Sequence, residues 1–393
     1  MKTPYFLILE KELNNNVMAF QHALEDLWPN SKLAYSVKTN SLPWLLQYLK
    51  KKKVMAEVVS DEEYQLAKFC GYYDNEILYN GPIKGEEQFK LAIEGNAIIN
   101  LDSSKDLEYL IKYKGKTCEN IGIRVNVDST VFSREDIGYE EDGFRFGFSV
   151  ENGEVEKVVR TIKDVYGEGR IGLHLHCNSI TRSLNVYQEI AGYAAKLIKA
   201  YDLQVSFIDM GGGYFGGVEG KPTPKDYLRV IKKELSEVIN PKETKLIVEP
   251  GSAIIGSVAE LHTAVLDVKD TTHARIVTTD GSRIHIDPLW VKNRYMYTAN
   301  TQNEYKHPRQ IICGYTCMDH DRIMILENEK EFQVGDEIIY HRVGAYSMTF
   351  GGMFIKYLPE VYVKNEQEIE KVRSKISVED YVELYSHKGK NIK

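Results

Sequence analysis

Leu33-Ala34-Tyr35-Ser36-Val37-Lys38-Thr39-Asn40 is an apolar run that ends in a cation. It is short, and a break at Ser41 and Pro43 follows it, so it reads as a buried strand. A lysine at the exit of such a strand has two readings. It is a solvated first residue of the loop, or a desolvated amine kept for attack on an aldehyde. The stretch alone does not choose between them.

Outward from this stretch the same texture recurs. Further apolar runs lie at Val54–Val59, Glu76–Tyr79, Ala97–Asn100, Ile121–Val127, Ile171–His176, Val205–Asp209 and Leu246–Glu249. Amphipathic segments separate them, among them Asp61–Phe69, Gly85–Glu94, Asp106–Tyr113, Val155–Tyr166, Ser183–Tyr201 and Asp226–Val238. Thr223-Pro224 announces the last with a cap and a first-turn proline. Short strands alternating with helices in this way predict a (β/α)8 TIM barrel. The long, glycine- and charge-rich excursion Phe132–Val150 is expected at its functional face.

Past Gly251 the pattern changes to β-rich runs divided by turn residues: Ser257–Val268, Ala274–Thr279, Arg309–Cys313, Arg322–Leu326, Glu337–Val343 and Glu360–Val363. These predict a C-terminal β-sandwich or β-barrel domain, whose sheet the early run Tyr5–Leu9 would join. The expected division is a barrel over 24–254 and a β-rich domain made of 1–23 plus 255–393.

Composition bounds the function. The chain has 393 residues, 43% hydrophobic and 27% charged, which fits a soluble two-domain protein. No apolar span is long enough to cross a membrane, and charge returns at Glu10-Lys11-Glu12, against a signal peptide. Five scattered cysteines do not form a disulfide framework and suggest a reducing, cytoplasmic setting. A net charge of −7 gives no reason to expect nucleic acid. Lys50–Lys53 reads as a solvated helix end, and the basic tail His387–Lys393 as a frayed terminus.

The unusual polar residues fall at the carboxyl ends of the expected strands, where barrel enzymes keep their chemistry. Lys38 follows the first strand. The sixth ends His174-Leu175-His176-Cys177-Asn178-Ser179, and the two-residue period turns both histidines toward the interior. The seventh ends in Gly211-Gly212-Gly213, whose bare amides suit a phosphate; the bland reading is a flexible turn. The eighth ends Glu249-Pro250-Gly251-Ser252, a carboxylate followed by another glycine. Cys313, Cys317 and His320 lack a second matched pair, so no metal is expected. A lysine, glycine loops, a histidine and a carboxylate around one mouth suit pyridoxal 5′-phosphate (PLP). Its aldehyde needs the amine, its phosphate the glycines, and its pyridine nitrogen the carboxylate.

With these motifs in hand, the chain resembles the fold-type III PLP-dependent decarboxylases, the group of diaminopimelate, ornithine and arginine decarboxylases. The resemblance runs over nearly the whole chain in motif order. It implies that Lys38 carries the cofactor, that His176 stacks on its ring, and that Glu249 pairs with the pyridine nitrogen. It further implies phosphate contacts at Ser179, Gly211, Gly212, Gly213, Gly251 and Tyr346. Cys317 would reach the partner's active site in a homodimer and protonate Cα. A glutamate against the ring nitrogen, where alanine racemase has an arginine, favours decarboxylation.

The departures concern the substrate. Ser252 stands where the family usually has an arginine, Asp287 where diaminopimelate enzymes have a second one, and Met318 where an acidic residue usually binds a distal amine. Asn178 replaces a glycine. Each missing charge-assisted hydrogen bond removes about 1.5–3 kcal/mol of recognition. The resemblance therefore implies a decarboxylase for a free amino acid, or for a siderophore, specialised-metabolite or carrier-protein-bound conjugate, with diaminopimelate disfavoured. A racemase or epimerase of the same fold and a catalytically silent regulator stay open as alternatives. No nucleic-acid or membrane partner is expected.

Overall fold

A computed structural model describes residues 1–138, 142–292 and 294–386. The tail 387–393 lies outside the described residues, as do 139–141 within the long excursion. The chain divides into two compact units, 15–254 and 1–14 plus 255–393. The division falls at Asn14 and Asn15, inside the helix Glu10–Leu27, whereas the sequence put it at residues 23 and 24 of the same helix. No described helix is long and apolar enough to cross a membrane.

The larger unit is a closed barrel of eight parallel strands: Ser31–Ser36, Met55–Val58, Ile77–Tyr79, Ile98–Leu101, Ile121–Asn126, Ile171–Leu175, Val205–Asp209 and Lys245–Val248. Each pairs with its sequence neighbour, and the eighth closes on the first through Leu246 opposite Ser31. Helices follow the strands as the amphipathic segments predict. Thr223 caps Pro224–Leu235 by accepting from the Asp226 amide at 3.3 Å, and Asp226 accepts in return from the Thr223 amide at 2.9 Å.

The barrel interior is built in two tiers. In the lower one Ala34, Met55, Leu78, Ile98, Phe207 and Ile247 form a buried apolar cluster. Strands five and six contribute Gly122 and Gly172 at this level. A Cβ on Gly172 would lie 2.0 to 2.5 Å from three Phe207 ring atoms, and one on Gly122 would lie 2.8 Å from the ring. The glycines are thus the space that the phenylalanine fills.

The smaller unit is built on a branched nine-stranded sheet. Tyr5–Leu9 lies in it, antiparallel to Ala259–Asp270 and parallel to Glu360–Lys364, as the sequence suggested. The strands Met296–Asn300 and Ile369–Arg373 were not expected. Both alternate weakly, are largely exposed and pair with one described strand each, so no apolar run marks them.

Candidate active site

Two residues beyond each lower-tier position, every barrel strand presents a polar group. Ser36, Glu57, Asn80, Asn100, Arg124, His174, Asp209 and Glu249 form this upper tier, and all are buried. The strand period sets the spacing: a residue two positions on returns to the same face, one step nearer the carboxyl end. Here the groups find one another. Asn80 Nδ2 donates to Glu249 Oε1 at 2.5 Å and to Glu57 Oε1 at 3.1 Å. Asn100 Nδ2 donates to Asn80 Oδ1 at 2.8 Å and to Asp209 Oδ2 at 2.9 Å.

Lys38 sits on a single 3-10 turn, Val37–Thr39, immediately after strand one. Its side chain is 43% exposed, yet Nζ is not left to water alone: it lies 3.0 and 3.3 Å from the two Glu57 oxygens. Ser36 Oγ also donates to Glu57, at 2.5 Å. The turn is approached from the other side by the segment after strand eight, since a Cβ on Gly251 would meet Thr39 Oγ1 at 2.0 Å. Only glycine permits that approach.

The electrostatics follow from burial. Glu249 is pushed well above the carboxylate range, first by burial and then by Asp209 and Glu57. Asp209 is pushed up for the same leading reason. Two buried acids side by side hold a proton between them rather than two charges. His174 Nε2 lies 3.8 Å from Glu249 Oε2, and both ring nitrogens of His174 are buried without a hydrogen-bond partner. Burial, with Arg124 nearby, drives His174 well below its ordinary value and His176 down to about 3, so both are neutral imidazoles.

The glycine loop packs against this floor. Gly211 has φ +58° and Gly213 φ +90°, and a Cβ on Gly211 would lie 2.6 Å from His176 Cβ. The Gly211 amide donates to Asp209 Oδ1 at 3.1 Å, its carbonyl accepts from the Glu249 amide at 2.7 Å, and Gly213 is exposed. Ser179 Oγ accepts from the Arg182 amide at 3.2 Å, and Ser252 opens the short helix Ser252–Ile255. The barrel thus brings together Lys38, His176, the three glycines, Glu249 and Gly251.

The remaining sequence candidates lie in the smaller unit. Cys317 and Tyr346 are exposed, Tyr346 with φ +52°, and Met318 is half-buried. Asp287 is buried, and its carboxylate is already committed. It accepts from Arg283 Nε at 3.0 Å, the Lys292 amide at 2.9 Å, the Val291 amide at 3.2 Å and Tyr295 OH at 3.1 Å. That is a loop-organising hub, with three donors converging on Oδ2 and one on Oδ1.

Glu57, Asn80, Asn100, Arg124 and Asp209 were missed in the sequence. Their signal is present, a polar residue two positions past the interior apolar residue of each run, but it becomes legible only with the barrel closed. Among the described residues, His174, Asp209 and Glu249 are the one group whose ligand atoms come within 4.8 Å of one another in a metal-binding set. Chemically the mouth offers a reachable primary amine, a buried carboxylic acid, a neutral imidazole and exposed glycine amides. That donor set fits PLP, with the amine for the aldehyde and the acid for the ring nitrogen.

Comparison with known proteins points the same way. Residues 10–256 match the family model described as pyridoxal-dependent decarboxylase, pyridoxal binding domain. A probable chloroplastic diaminopimelate decarboxylase of Oryza sativa is 24% identical over 98% of this chain and 80% of its own length. The diaminopimelate decarboxylase of Archaeoglobus fulgidus is 27% identical over 90% of this chain and 85% of its own. The crystal structure of diaminopimelate decarboxylase from M. jannaschii superposes with a TM-score of 0.85 at 19% identity, covering 99% of this chain and 93% of that one.

Proposed function

Because the chain belongs to the pyridoxal-dependent decarboxylase family, we propose that its barrel mouth is the catalytic site and that Lys38, Glu249 and Cys317 carry the reaction. PLP is the cofactor and the enzyme is a carboxy-lyase acting on an amino acid. When bound, PLP supplies an aldehyde for the substrate amine and a ring that draws off electron density as the bond to CO2 breaks.

The protein's own groups divide the remaining work. Lys38 provides the amine that holds the cofactor, and Glu57 fixes where that amine sits. Glu249, tied to Asn80 and sharing a proton with Asp209, keeps a proton opposite the ring nitrogen. His176, neutral at working pH, offers a flat face for stacking without adding charge. Ser179, Gly211, Gly212, Gly213 and Gly251 take the phosphate. Cys317 Sγ, exposed on its own unit, is assigned the return of a proton to Cα in a second copy's site. A homodimer working in the cytoplasm completes this reading.

For the substrate we propose an amino acid, or an amino-acid conjugate, other than diaminopimelate, although the curated relatives carry that name. Ser252 and Met318 lack the charges that the family resemblance implies for its two ends, and Asp287, itself an acid, already accepts from Arg283 and the Lys292 amide.

The observation that carries the reading is the unbroken hydrogen-bonded path from Lys38 through Glu57 and Asn80 to Glu249, which joins the amine and acid ends of one cofactor site. Purified protein with PLP should show a visible chromophore that borohydride reduces, and Lys38→Ala should abolish it. A chromophore that survives in Lys38→Ala would overturn the assignment. Release of CO2 in deuterated water, without Cα exchange in the absence of that release, separates decarboxylation from racemisation.

A further inference from the structure

A cavity of about 480 Å³ opens beside His176 and Asn178, with Phe144, Arg145 and Phe146 from the long excursion and Arg124 from strand five in its wall. The wall has a defined order. Two guanidinium groups lie over the Phe146 ring, Arg145 at 4.3 Å and Arg124 at 4.6 Å from its centroid.

This part of the excursion is fastened in place. Asn126 Nδ2 donates to both the Phe144 and Phe146 carbonyls, at 2.6 and 2.8 Å. Asp102 accepts from the Gly147 amide at 2.7 Å and from Arg124 Nη1 at 2.8 Å. Gly147 has φ +86°, and a Cβ there would lie 2.7 Å from the Arg124 carbonyl, so only glycine lets the loop approach the strand so closely. A loop held by such bonds presents a preformed surface.

The charges in this wall do not balance. Asp102 answers Arg124, whose Nε remains buried without a partner. Arg145 has no carboxylate partner among the described residues and is exposed toward the cavity mouth. Arg145 thus stands over the Phe146 ring as an exposed cation, and a guanidinium can grip a carboxylate through two parallel bonds.

We propose that Arg145, supported by Phe146 and Arg124, is the specificity-determining cation for a carboxylate at the far end of the substrate side chain. The inference rests on the decarboxylase reading above. It places the anion subsite on the excursion after strand five, whereas the positions at which the resemblance implies arginines hold Ser252 and Asp287. Met318 offers nothing to a distal amine, so the substrate class is a 2-amino-dicarboxylic acid without a second amino group. The rings of Phe144 and Phe146 would line its methylene chain.

The test uses PLP-loaded enzyme. Simple dicarboxylates such as glutarate, adipate and pimelate are titrated by calorimetry, which needs no turnover. Decarboxylation is then measured on 2-amino-dicarboxylic acids of several chain lengths, on their ω-amides and on meso-diaminopimelate. At least one dicarboxylate should bind wild type, and Arg145→Gln should weaken it roughly 10- to 100-fold, equivalent to about 1.4–2.8 kcal/mol. Arg145→Gln should raise KM for the ω-acid by a similar factor, leave KM for the ω-amide within about twofold, and keep the borohydride-reducible chromophore. Arg145→Lys should recover part of the loss.

Equal effects on acid and amide, no dicarboxylate binding to wild type, or a preference for diaminopimelate over the mono-amino acids would each overturn the proposal. Loss of the chromophore requirement at Lys38 would instead overturn the decarboxylase reading, so the two failures are told apart.

Discussion

Lys38 Nζ lies 3.0 Å from Glu57 Oε2, and the carboxylate it touches is almost completely buried while the lysine is not. The pair joins strand one to strand two at the level where the site begins. Glu57 also accepts from Ser36 and Asn80, so one buried anion organises three donors.

Removal of that anion should therefore be costly. Glu57→Ala leaves the buried donors of Ser36 and Asn80 without their charged acceptor, at about 1–3 kcal/mol. The contact to the half-exposed Lys38 adds little to stability because water screens it. Thermal unfolding of the apo-protein should show Tm lowered by several degrees, with Glu57→Gln less affected. PLP uptake, followed by visible absorbance, should slow in both variants. An unchanged Tm in Glu57→Ala would contradict the role given to this hub.

The lower tier offers a packing test. Gly172→Ala drives a methyl into the Phe207 ring, with no flexible side-chain end to yield. Overpacking of a tight core costs about 1–3 kcal/mol. Phe207→Leu alone should also destabilise, by removing buried ring atoms. Combined, the two should cost less than their sum by more than about 0.5 kcal/mol in urea unfolding, since each relieves the other. Strict additivity would argue against the close packing of ring and glycine.

Buried neutral histidines make stability fall in acid. His285, in the smaller unit, is lowered to about 4, chiefly by burial. Below its ordinary value of 6.5 the unfolded chain takes a proton that the folded protein refuses until about pH 4. Unfolding then binds more protons, so stability drops as pH falls through that window. His285→Phe should remove this contribution. Relative to wild type the variant gains about 1.4 kcal/mol per pH unit between pH 6.5 and 4. Chemical denaturation at stepped pH reads the difference, and parallel curves would refute it.

The exposed Cys317 gives a subunit test. Cys317→Ala should keep the chromophore at Lys38 while CO2 release falls by roughly 10²- to 10⁴-fold, the range for loss of a positioned proton donor. Mixing inactive Lys38→Ala and Cys317→Ala preparations under conditions of subunit exchange should restore part of the activity, because one mixed site regains both groups. No recovery despite exchange would place Cys317 outside a shared site.

The sequence by itself determined the alternation of strands and helices, and with it the barrel, because buried parallel strands must be apolar runs and their crossovers amphipathic. It also showed Lys38, Gly211–Gly213 and Glu249 at strand ends, since a cation, bare glycines and a carboxylate are conspicuous beside apolar residues. It left the role of Asp287 open, since its local context says nothing about the four donors that fold back onto it. Only the tertiary structure decided that Ser36, Glu57, Asn80, Asn100, Arg124, His174, Asp209 and Glu249 share one tier. Asn80 and Glu249 are 169 positions apart and meet at 2.5 Å because parallel register and barrel closure set their heights equal. No local pattern encodes that height, which is why the amine of Lys38 could be read from the chain and its partner Glu57 could not.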